Sequence, residues 1–465
     1  MSSWCDLRVG KLGFDSWSDE PLAILMSLYT ESERRSGPIP PERWKEFFRV
    51  EPDQLEDERS DFLEYVAPAK TIAERLDFLG FTTEVSRRAF EIGRREQLQN
   101  KKETLANLER FTVSQSNHPE YLALVMQEIS LLENELSPEA WINGLREIRD
   151  QCTSLVSARE LRNDDQLPPL LRYMVQSPRE LGFPGYLDPR FALRLMTEAL
   201  ETEDVVYDLS YLYLGEYIDL SDPIVEIAIS LLSHEDRIAR RVVVLTEGST
   251  DTWALQRSIK LLAPDIADFF SFMDFEGARI EGGASALASI VKAFVATGIE
   301  NRVLALFDND TAGLAALRRL ASIKFPTNIV ALQYPPFWLA RDYPTLGPNG
   351  LTSLDVNGMA CSLELYLGMD VLKDEDSNLL PIHWRAFDSS VGQYQGEITD
   401  KKLVLERFSK KLDVCEQDQS RIADYDWSGL KLIIHAMKTA FHDVDAQTLL
   451  DREYQDVEEN DSYEE

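Results

Sequence analysis

The sequence predicts a mixed α/β protein in which a small parallel sheet follows a largely helical α+β first half and precedes a mixed C-terminal extension. Residues 241–246 (RVVVLT) and 302–307 (RVLALF) are continuous apolar runs rather than alternating ones, as is typical of parallel strands buried on both faces. Helical patterns over residues 251–262, 284–297 and 312–321 follow and separate these runs. This alternation of strand and helix favours a small doubly wound, Rossmann-like sheet.

The remaining segments predict other elements on either side of that sheet. Up to about residue 233, apolar residues recur mostly at the 3.6-residue spacing of helices. After residue 344 the sequence is first loop-rich and then mixed, and it includes a helical pattern over residues 429–441. The chain of 465 residues has room for about three domains.

The composition excludes several classes of protein. The four cysteines form no C-x-x-C pair and only five histidines occur, which argues against thiolate zinc ribbons and histidine-rich metal centres. The sequence contains no signal-peptide pattern and no uncharged apolar stretch of about 18 residues. We therefore expect a cytoplasmic protein that does not contact a membrane.

Charge is distributed unevenly along the chain. The 81 acidic and 48 basic residues give a net charge of −33, which argues against broad nonspecific binding to nucleic acid. Residues 236–342 hold twelve residues of each sign, so this neutral window is best able to approach an anionic ligand. Seven basic residues between Arg87 and Arg110 share a predicted helix with four glutamates. They favour a salt-bridged, solvated face over a phosphate-binding one.

Two acidic motifs directly follow the two apolar runs. The first is Glu247-Gly-Ser-Thr-Asp251, and the second is Asp308-Asn-Asp310. Ligand sites of open α/β sheets form at the carboxyl ends of the strands, and residues i and i+2 of an extended chain point the same way. Each motif alone is usually a helix cap or a turn. Together they predict a metal site, and oxygen ligands without Cys or His favour magnesium or manganese over zinc.

These motifs resemble those of the Toprim domain of topoisomerases, bacterial primases and OLD-type nucleases, in which one strand precedes E-G-x-x-D and a later strand precedes D-x-D. Further segments resemble bacterial HEPN/Toprim-associated proteins over nearly the whole chain. These segments are residues 4–10 (WCDLRVG), 204–217 (DVVYDLSYLYLGEY), 282–287 (GGASAL), 298–312 (GIENRVLALFDNDTA), 343–350 (YPTLGPNG), 355–358 (DVNG), 362–368 (SLELYLG) and 394–397 (YQGE).

Members of that family carry either of two effectors. HEPN ribonucleases use an Arg with a His four to six positions later, and none of the five histidines here has an Arg at that distance before it. The resemblance therefore favours the Toprim branch, related to OLD-type nucleases. It implies four parts: an N-terminal HEPN/Toprim-associated domain (1–233), a Toprim catalytic domain (234–345), a C-terminal extension that completes the site (346–450) and an acidic tail (451–465).

The resemblance also implies roles for individual residues. Glu247, Asp308 and Asp310 match the metal-binding and acid–base carboxylates of Toprim domains, and Asp251 matches a further metal residue. OLD-type nucleases add an acidic residue and a lysine downstream, for which the candidates are Glu364 as a metal ligand and Lys401 as a catalytic group.

Three points qualify these assignments. Glu364 could equally be a solvent-facing helix residue, and the neighbouring Lys402 leaves the register of the lysine open. In place of the Glu that usually follows the Asp of the first OLD-type motif, this chain has Thr252.

The implied function is that of a Mg²⁺- or Mn²⁺-dependent endonuclease that hydrolyses nucleic acid, DNA in preference to RNA, in bacterial defence against phage. Two alternatives stay open: an RNA- or tRNA-cleaving toxin that uses the same site, and a non-catalytic Toprim-fold protein with a binding or regulatory role. The N-terminal domain is expected to bind a protein partner or a second copy of the chain.

Overall fold

The computed structural model describes residues 4–18, 23–40, 61–110, 118–152, 161, 164, 166–177, 180–185, 188–235, 241–273, 282–348 and 350–442. The chain divides at residue 240 into two compact units. The acidic tail expected over residues 451–465 lies outside the described residues. Within the described ranges, no helix has both the length and the apolar character needed to cross a bilayer.

The first unit combines helices with an antiparallel sheet. Its described strands are β1 (Trp4–Val9), β2 (Leu12–Ser18), β3 (Arg34–Pro38), β4 (Asp61–Pro68) and β5 (Asp204–Asp208). Its described helices are α1 (Ala23–Met26), α2 (Ala69–Phe78), α3 (Thr83–Arg110), α4 (His118–Asn134), α5 (Pro138–Gln151), α6 (Pro169–Gln176), α7 (Pro189–Ala199), α8 (Ser210–Leu214) and α9 (Ile224–Glu235). The five strands form one sheet in the order β2-β1-β5-β4-β3, with every pair antiparallel.

The sheet of the first unit is larger than the helical periodicity of residues 1–233 suggested. Strand β3 has the sequence RRSGP, which shows no alternation of apolar and polar residues, and its side chains are exposed or half-buried. Strands β1 and β5 lie at the centre of the sheet although they are more than 190 residues apart in sequence. A pairing over such a separation leaves no local signal in the sequence.

Helix α3 contains the basic residues noted between Arg87 and Arg110. Lys101 pairs with Glu128 and Lys102 with Glu133, both on α4, at 2.5 and 2.7 Å. Arg94 pairs with Glu91 one turn away, at 2.7 Å. The expected salt-bridged face is therefore confirmed, because acidic side chains already neutralise these cations.

The second unit contains a parallel sheet and a mixed one. Its described strands are β6 (Val242–Leu245), β7 (Phe270–Phe272), β8 (Val303–Phe307), β9 (Asn309–Asp310), β10 (Ile329–Gln333), β11 (Tyr343–Gly347), β12 (Gly350–Leu354), β13 (Ala360–Cys361), β14 (Ile382–Asp388) and β15 (Gln393–Ile398). Its described helices are α10 (Ser249–Leu262), α11 (Pro264–Ala267), α12 (Ala284–Thr297), α13 (Thr311–Leu320), α14 (Leu363–Tyr366), α15 (Lys401–Gln417) and α16 (Ser428–Thr439).

The parallel sheet has the strand order β10-β8-β6-β7, and all its pairs are parallel. Its core includes side chains of β6, β8 and β10 packed against helices α12 and α13, among them Leu245, Leu287 and Phe307, each buried. The continuous apolar runs of β6 and β8 are explained by this burial on both faces. The prediction of a mixed α/β fold with a small parallel sheet is confirmed.

The second sheet has the order β12-β11-β14-β15. A separate two-stranded ladder joins β9 to β13, with Ala360 opposite Asp310 and Cys361 opposite Asn309. This ladder holds residues 360–364 beside the carboxyl end of β8. It is the element that carries part of the later sequence to the acidic motifs.

Candidate active site

The two acidic motifs meet at one edge of the parallel sheet. Strands β6 and β8 are neighbours, with Val243 opposite Val303. Glu247 follows β6 and Asp308 follows β8, so both lie past the carboxyl ends of adjacent strands. Glu247 Oε1 accepts a hydrogen bond of 3.0 Å from the backbone N–H of Asp308. This contact joins the two motifs directly.

Asp310 occupies the N-cap position of helix α13. Its Oδ1 accepts a 2.7 Å hydrogen bond from the backbone N–H of Gly313, and its Oδ2 accepts one of 2.5 Å from Gln395 Nε2. Such a cap satisfies a backbone donor in the first turn of the helix. Gly313 is required at its position because a Cβ there would lie 2.2 Å from the carbonyl oxygen of Asp308.

The segment before helix α14 supplies a second set of contacts. The backbone N–H of Leu363 donates a 2.9 Å hydrogen bond to Asp308 Oδ1. Glu364 is only 1% exposed, and its carboxylate contacts Lys401 Nζ at 2.7 Å and Ser362 Oγ at 2.6 Å. Glu364 is therefore not a solvent-facing helix residue.

The structure distinguishes the two adjacent lysines. Lys401 forms the ion pair with Glu364, whereas the Lys402 side chain is 91% exposed and lies 3.8 Å from Glu406 on its own helix. Of the two, Lys401 alone is thus tied to a predicted site residue by an ion pair among the described residues.

Asp251 is buried in the first turn of helix α10. The neighbouring Thr252, which stands where OLD-type motifs usually have Glu, shares a 2.8 Å hydrogen bond with the hydroxyl of Thr246. Its side chain therefore stabilises the turn between β6 and α10.

All six residues predicted for the site, Glu247, Asp251, Asp308, Asp310, Glu364 and Lys401, are linked to one another by the contacts above or by the electrostatic interactions below.

Burial and mutual repulsion raise the pKa of the acidic residues. Burial, with repulsion from Asp310, raises the pKa of Glu247 to about 8, although the backbone N–H of Asp308 opposes this. Burial, with repulsion from Glu364, raises the pKa of Asp251 to about 7. The pKa of Asp308 lies well above its usual value because of burial and the charges of the neighbouring carboxylates. The site therefore has a deficit of positive charge.

Two further groups titrate differently. Burial raises the pKa of Asp310 as well, but the hydrogen bonds from Gly313 and Gln395 work against that rise. For Lys401, partial burial lowers the pKa and the contact with Glu364 raises it, with a net rise above its ordinary value. Lys401 is therefore a cation at neutral pH.

The carboxylate oxygens of the site are the ligands that a hard divalent cation prefers, but several of them contact hydrogen-bond donors of the protein. Within the described ranges, no three Asp, Glu, His or Cys side chains are arranged so that they could hold a metal ion. Both oxygens of Asp310 accept hydrogen bonds from protein donors, and Glu364 is hydrogen-bonded to Ser362 through Oε2 and ion-paired with Lys401 through Oε1. Asp308 Oδ2 accepts no hydrogen bond from the described residues, so this oxygen is available to a ligand.

Several residues that hold the site were not predicted from the sequence. Gln333 Nε2 donates to the carbonyl oxygens of Asp308 and Asp310, at 3.0 and 3.2 Å. Asn309, the middle residue of the second motif, donates to Tyr366 OH at 3.2 Å and to Asn357 Oδ1 at 3.0 Å. Asn357 belongs to the DVNG segment, so the sequence did contain a signal for this contact.

The N-terminal half of the chain matches a known family. Residues 1–231 match the family model described as HEPN/Toprim N-terminal domain 1. This match supports a HEPN/Toprim-associated protein. The match covers the first unit and not the acidic site of the second. Neither the curated proteins nor the solved structures contain a significant match to the chain.

Proposed function

We propose that this HEPN/Toprim-associated protein is a metal-dependent nuclease of the Toprim branch, which hydrolyses phosphodiester bonds of DNA with Mg²⁺ or Mn²⁺. The observation that carries the proposal is the hydrogen bond between Glu247 Oε1 and the backbone N–H of Asp308. It joins an E-G-x-x-D turn to a D-x-D turn at adjacent parallel strand ends. The HEPN/Toprim description of the family model gives further support.

Glu247, Asp308 and Asp310 would hold the cation, with Asp251 and Glu364 as additional carboxylates around it. Their oxygen donors suit Mg²⁺ or Mn²⁺, and burial together with mutual repulsion raises the pKa of Glu247, Asp251 and Asp308, a repulsion that a bound cation would relieve. Asp308 Oδ2 is the available oxygen, whereas Asp310 would exchange its contact with Gln395. When bound, a divalent cation polarises a phosphate oxygen and lowers the pKa of water.

Lys401 and Glu247 contribute charge and proton transfer in this proposal. Lys401 stays protonated at neutral pH, so its Nζ can offset the negative charge that develops on the phosphorus oxygens in the transition state. Glu247 is the carboxylate to which we assign proton transfer, and its pKa of about 8 belongs to the metal-free protein, because a bound cation would lower it.

The test uses the full chain with supercoiled plasmid, linear duplex DNA and tRNA, each in Mg²⁺, in Mn²⁺ and in EDTA. We expect the plasmid to be nicked or linearised in either metal and to stay intact in EDTA. The Asp308→Asn protein, purified in parallel, should leave all substrates intact. Cleavage by this variant at the wild-type rate would overturn the site assignment, and cleavage of tRNA alone would establish the RNA-cleaving alternative.

The role in defence against phage rests on the resemblance to HEPN/Toprim-associated proteins. It is tested in bacteria that express the wild-type chain or the Asp308→Asn variant at equal levels. We expect fewer phage plaques with the wild-type protein only. Equal plaque counts over a panel of unrelated phages would contradict the defensive role without affecting the assay of purified protein.

A further inference from the structure

A cavity lined by two arginines lies beside the acidic site. It has a volume of about 430 Å³ and is lined by Ser285, Ala312, Ala315, Arg318, Arg319, Asp388 and Ser390. Three of these seven residues are charged, so the lining carries two positive charges and one negative charge. Arg318 and Arg319 are adjacent on helix α13, and Asp310 of the acidic site caps the N-terminus of the same helix.

The two guanidinium groups have neutral partners. Arg319 donates to Ser285 Oγ at 2.9 Å and to the carbonyl oxygen of Ala315 at 3.3 Å. Arg318 donates to the carbonyl oxygen of Ser390 at 3.4 Å. Neither arginine forms an ion pair with a carboxylate of the described residues.

Asp388, the acidic residue of the lining, is held by its own turn. Its Oδ1 accepts hydrogen bonds from the backbone N–H and the hydroxyl of Ser390, at 2.8 and 2.6 Å. These hydrogen bonds, together with a weaker attraction from Arg319, lower the pKa of Asp388. Asp388 thus reduces the net charge of the cavity lining to +1, but it forms no ion pair with either guanidinium group.

Short chains of contacts connect the cavity to the acidic site. The backbone N–H of Ala312 donates to Gln395 Oε1 at 3.0 Å, and Gln395 Nε2 donates to Asp310 Oδ2 at 2.5 Å. Ser285 follows Ala284, whose backbone N–H acts on the Glu247 carboxylate and opposes the rise of its pKa. Ala312 is thus connected to Asp310 of the second motif through the side chain of Gln395. Ser285 is adjacent in sequence to a residue that acts on Glu247 of the first motif.

We infer that Arg318 and Arg319 form a phosphate-binding subsite that seats the DNA backbone next to the phosphodiester to be cut. The inference rests on the proposed function. It also resolves an electrostatic difficulty, because the acidic cluster repels the phosphates that flank the cleaved bond, whereas guanidinium groups bind phosphate oxygens well. Contacts of this kind position the strand and carry no sequence preference.

The test measures binding separately from cleavage. A fluorescein-labelled 30-base-pair duplex is titrated with the full-length protein in CaCl₂, and fluorescence anisotropy gives Kd over a series of KCl concentrations. The pocket variant is Arg318→Gln/Arg319→Gln. The matched control is Lys410→Gln/Lys431→Gln, which removes two other exposed positive charges, neither in an ion pair with a described residue, from the same unit outside the cavity.

We expect the pocket variant to raise Kd about tenfold or more at roughly 0.1 M KCl and to reduce the slope of log K against log[KCl] by about 2, because each phosphate contact contributes about 0.9 to that slope. The control should change both quantities much less. Equal effects of the two variants, or no binding of the duplex by the wild-type protein, would overturn the inference. If the double variant unfolds, the single variant Arg318→Gln tests the same point. It should stay folded, because it loses only the 3.4 Å hydrogen bond to the carbonyl oxygen of Ser390.

Cleavage of plasmid in Mg²⁺ distinguishes this inference from the proposed function. If the wild-type protein binds the duplex through the arginines but cuts no substrate, the subsite stands and the nuclease proposal fails. If the wild-type protein cuts DNA and the pocket variant has an unchanged KM and Kd, the nuclease proposal stands and the subsite fails. If the nuclease proposal and the subsite are both correct, the pocket variant raises KM for DNA more than it lowers kcat.

Discussion

Glu247 and Asp308 are 61 residues apart in sequence, and the carboxylate of the first accepts a 3.0 Å hydrogen bond from the backbone N–H of the second. The contact depends on the parallel pairing of β6 with β8, which places both strand ends at one edge. It uses Glu247 Oε1 and the main chain of residue 308, so the side chain of Asp308 stays available for other partners.

The substitution Asp308→Asn should abolish cleavage while stabilising the metal-free protein. Asparagine keeps an oxygen for the N–H of Leu363 and removes a buried charge that its neighbours repel. We expect cleavage to fall at least about 100-fold, as when a group that stabilises transition-state charge is removed. The melting temperature in EDTA at pH 8 should rise.

The matched control is Asp376→Asn, an exposed carboxylate of the same unit that accepts no hydrogen bond from the described residues. It should alter neither cleavage nor melting temperature. A lower melting temperature for Asp308→Asn in EDTA would contradict the electrostatic explanation, even if activity were lost.

The metal-free protein should lose stability as the pH rises from about 4 to about 8. The folded protein holds a proton on Glu247 up to a pKa of about 8, against an ordinary value of 4.5, and on Asp251 up to about 7, against 3.8. The folded state therefore binds more protons than the unfolded state in this range, and its free energy of unfolding falls with pH. One pKa unit corresponds to about 1.4 kcal/mol, so the shift of Glu247 alone corresponds to a loss on the order of 5 kcal/mol.

Urea unfolding in EDTA at several pH values checks this, with Glu247→Gln for comparison. The decrease with pH should be smaller in the variant, because glutamine does not titrate. Mg²⁺ at pH 8 should restore stability to the wild-type protein, since a ligand that binds only the folded state stabilises it. Identical pH profiles for the two proteins would contradict the assigned pKa of Glu247.

The sequence predicted the part of the site that depends on local patterns. Strands β6 and β8 lie within the apolar runs 241–246 and 302–307, and helix α12 has the predicted bounds, because continuous apolar runs and helical periodicity are properties of short segments. The burial of Glu364 was not predictable in the same way. It depends on the β9–β13 ladder and on Lys401, which bring residues far apart in sequence to one place.

Glutamine residues illustrate the same limit. Gln333 and Gln395 lie on strands β10 and β15, and their side-chain amides hold Asp308 and Asp310. Gln395 belongs to the YQGE segment that resembles HEPN/Toprim-associated proteins, whereas no local pattern distinguishes Gln333 from a glutamine that faces solvent. The individual strands of the antiparallel sheet in the first unit were not located for a related reason, since two of its strands pair over more than 190 residues.

Lys401→Ala should slow cleavage by about tenfold to 100-fold, whereas Lys402→Ala should have no effect. The Lys401 ammonium contacts Glu364 at 2.7 Å and interacts electrostatically with Asp308 and Asp251, while Lys402 is 91% exposed. The decrease should appear mainly in kcat, because the charge that Lys401 offsets develops in the transition state. Equal activity of the two variants would place the catalytic cation elsewhere.

Gly313→Ala should abolish cleavage and destabilise the fold, whereas Gly248→Ala should be tolerated. A Cβ on Gly313 would lie 2.2 Å from the carbonyl oxygen of Asp308 and 3.4 Å from Asp310 Oδ1, so the turn that positions both carboxylates must shift. At Gly248 a Cβ meets no described atom within 4 Å, and its φ of −166° is open to any residue. Melting temperatures and plasmid cleavage of the two variants, measured together, check this. Wild-type activity of Gly313→Ala would mean that the close approach of helix α13 to Asp308 is not needed for the site.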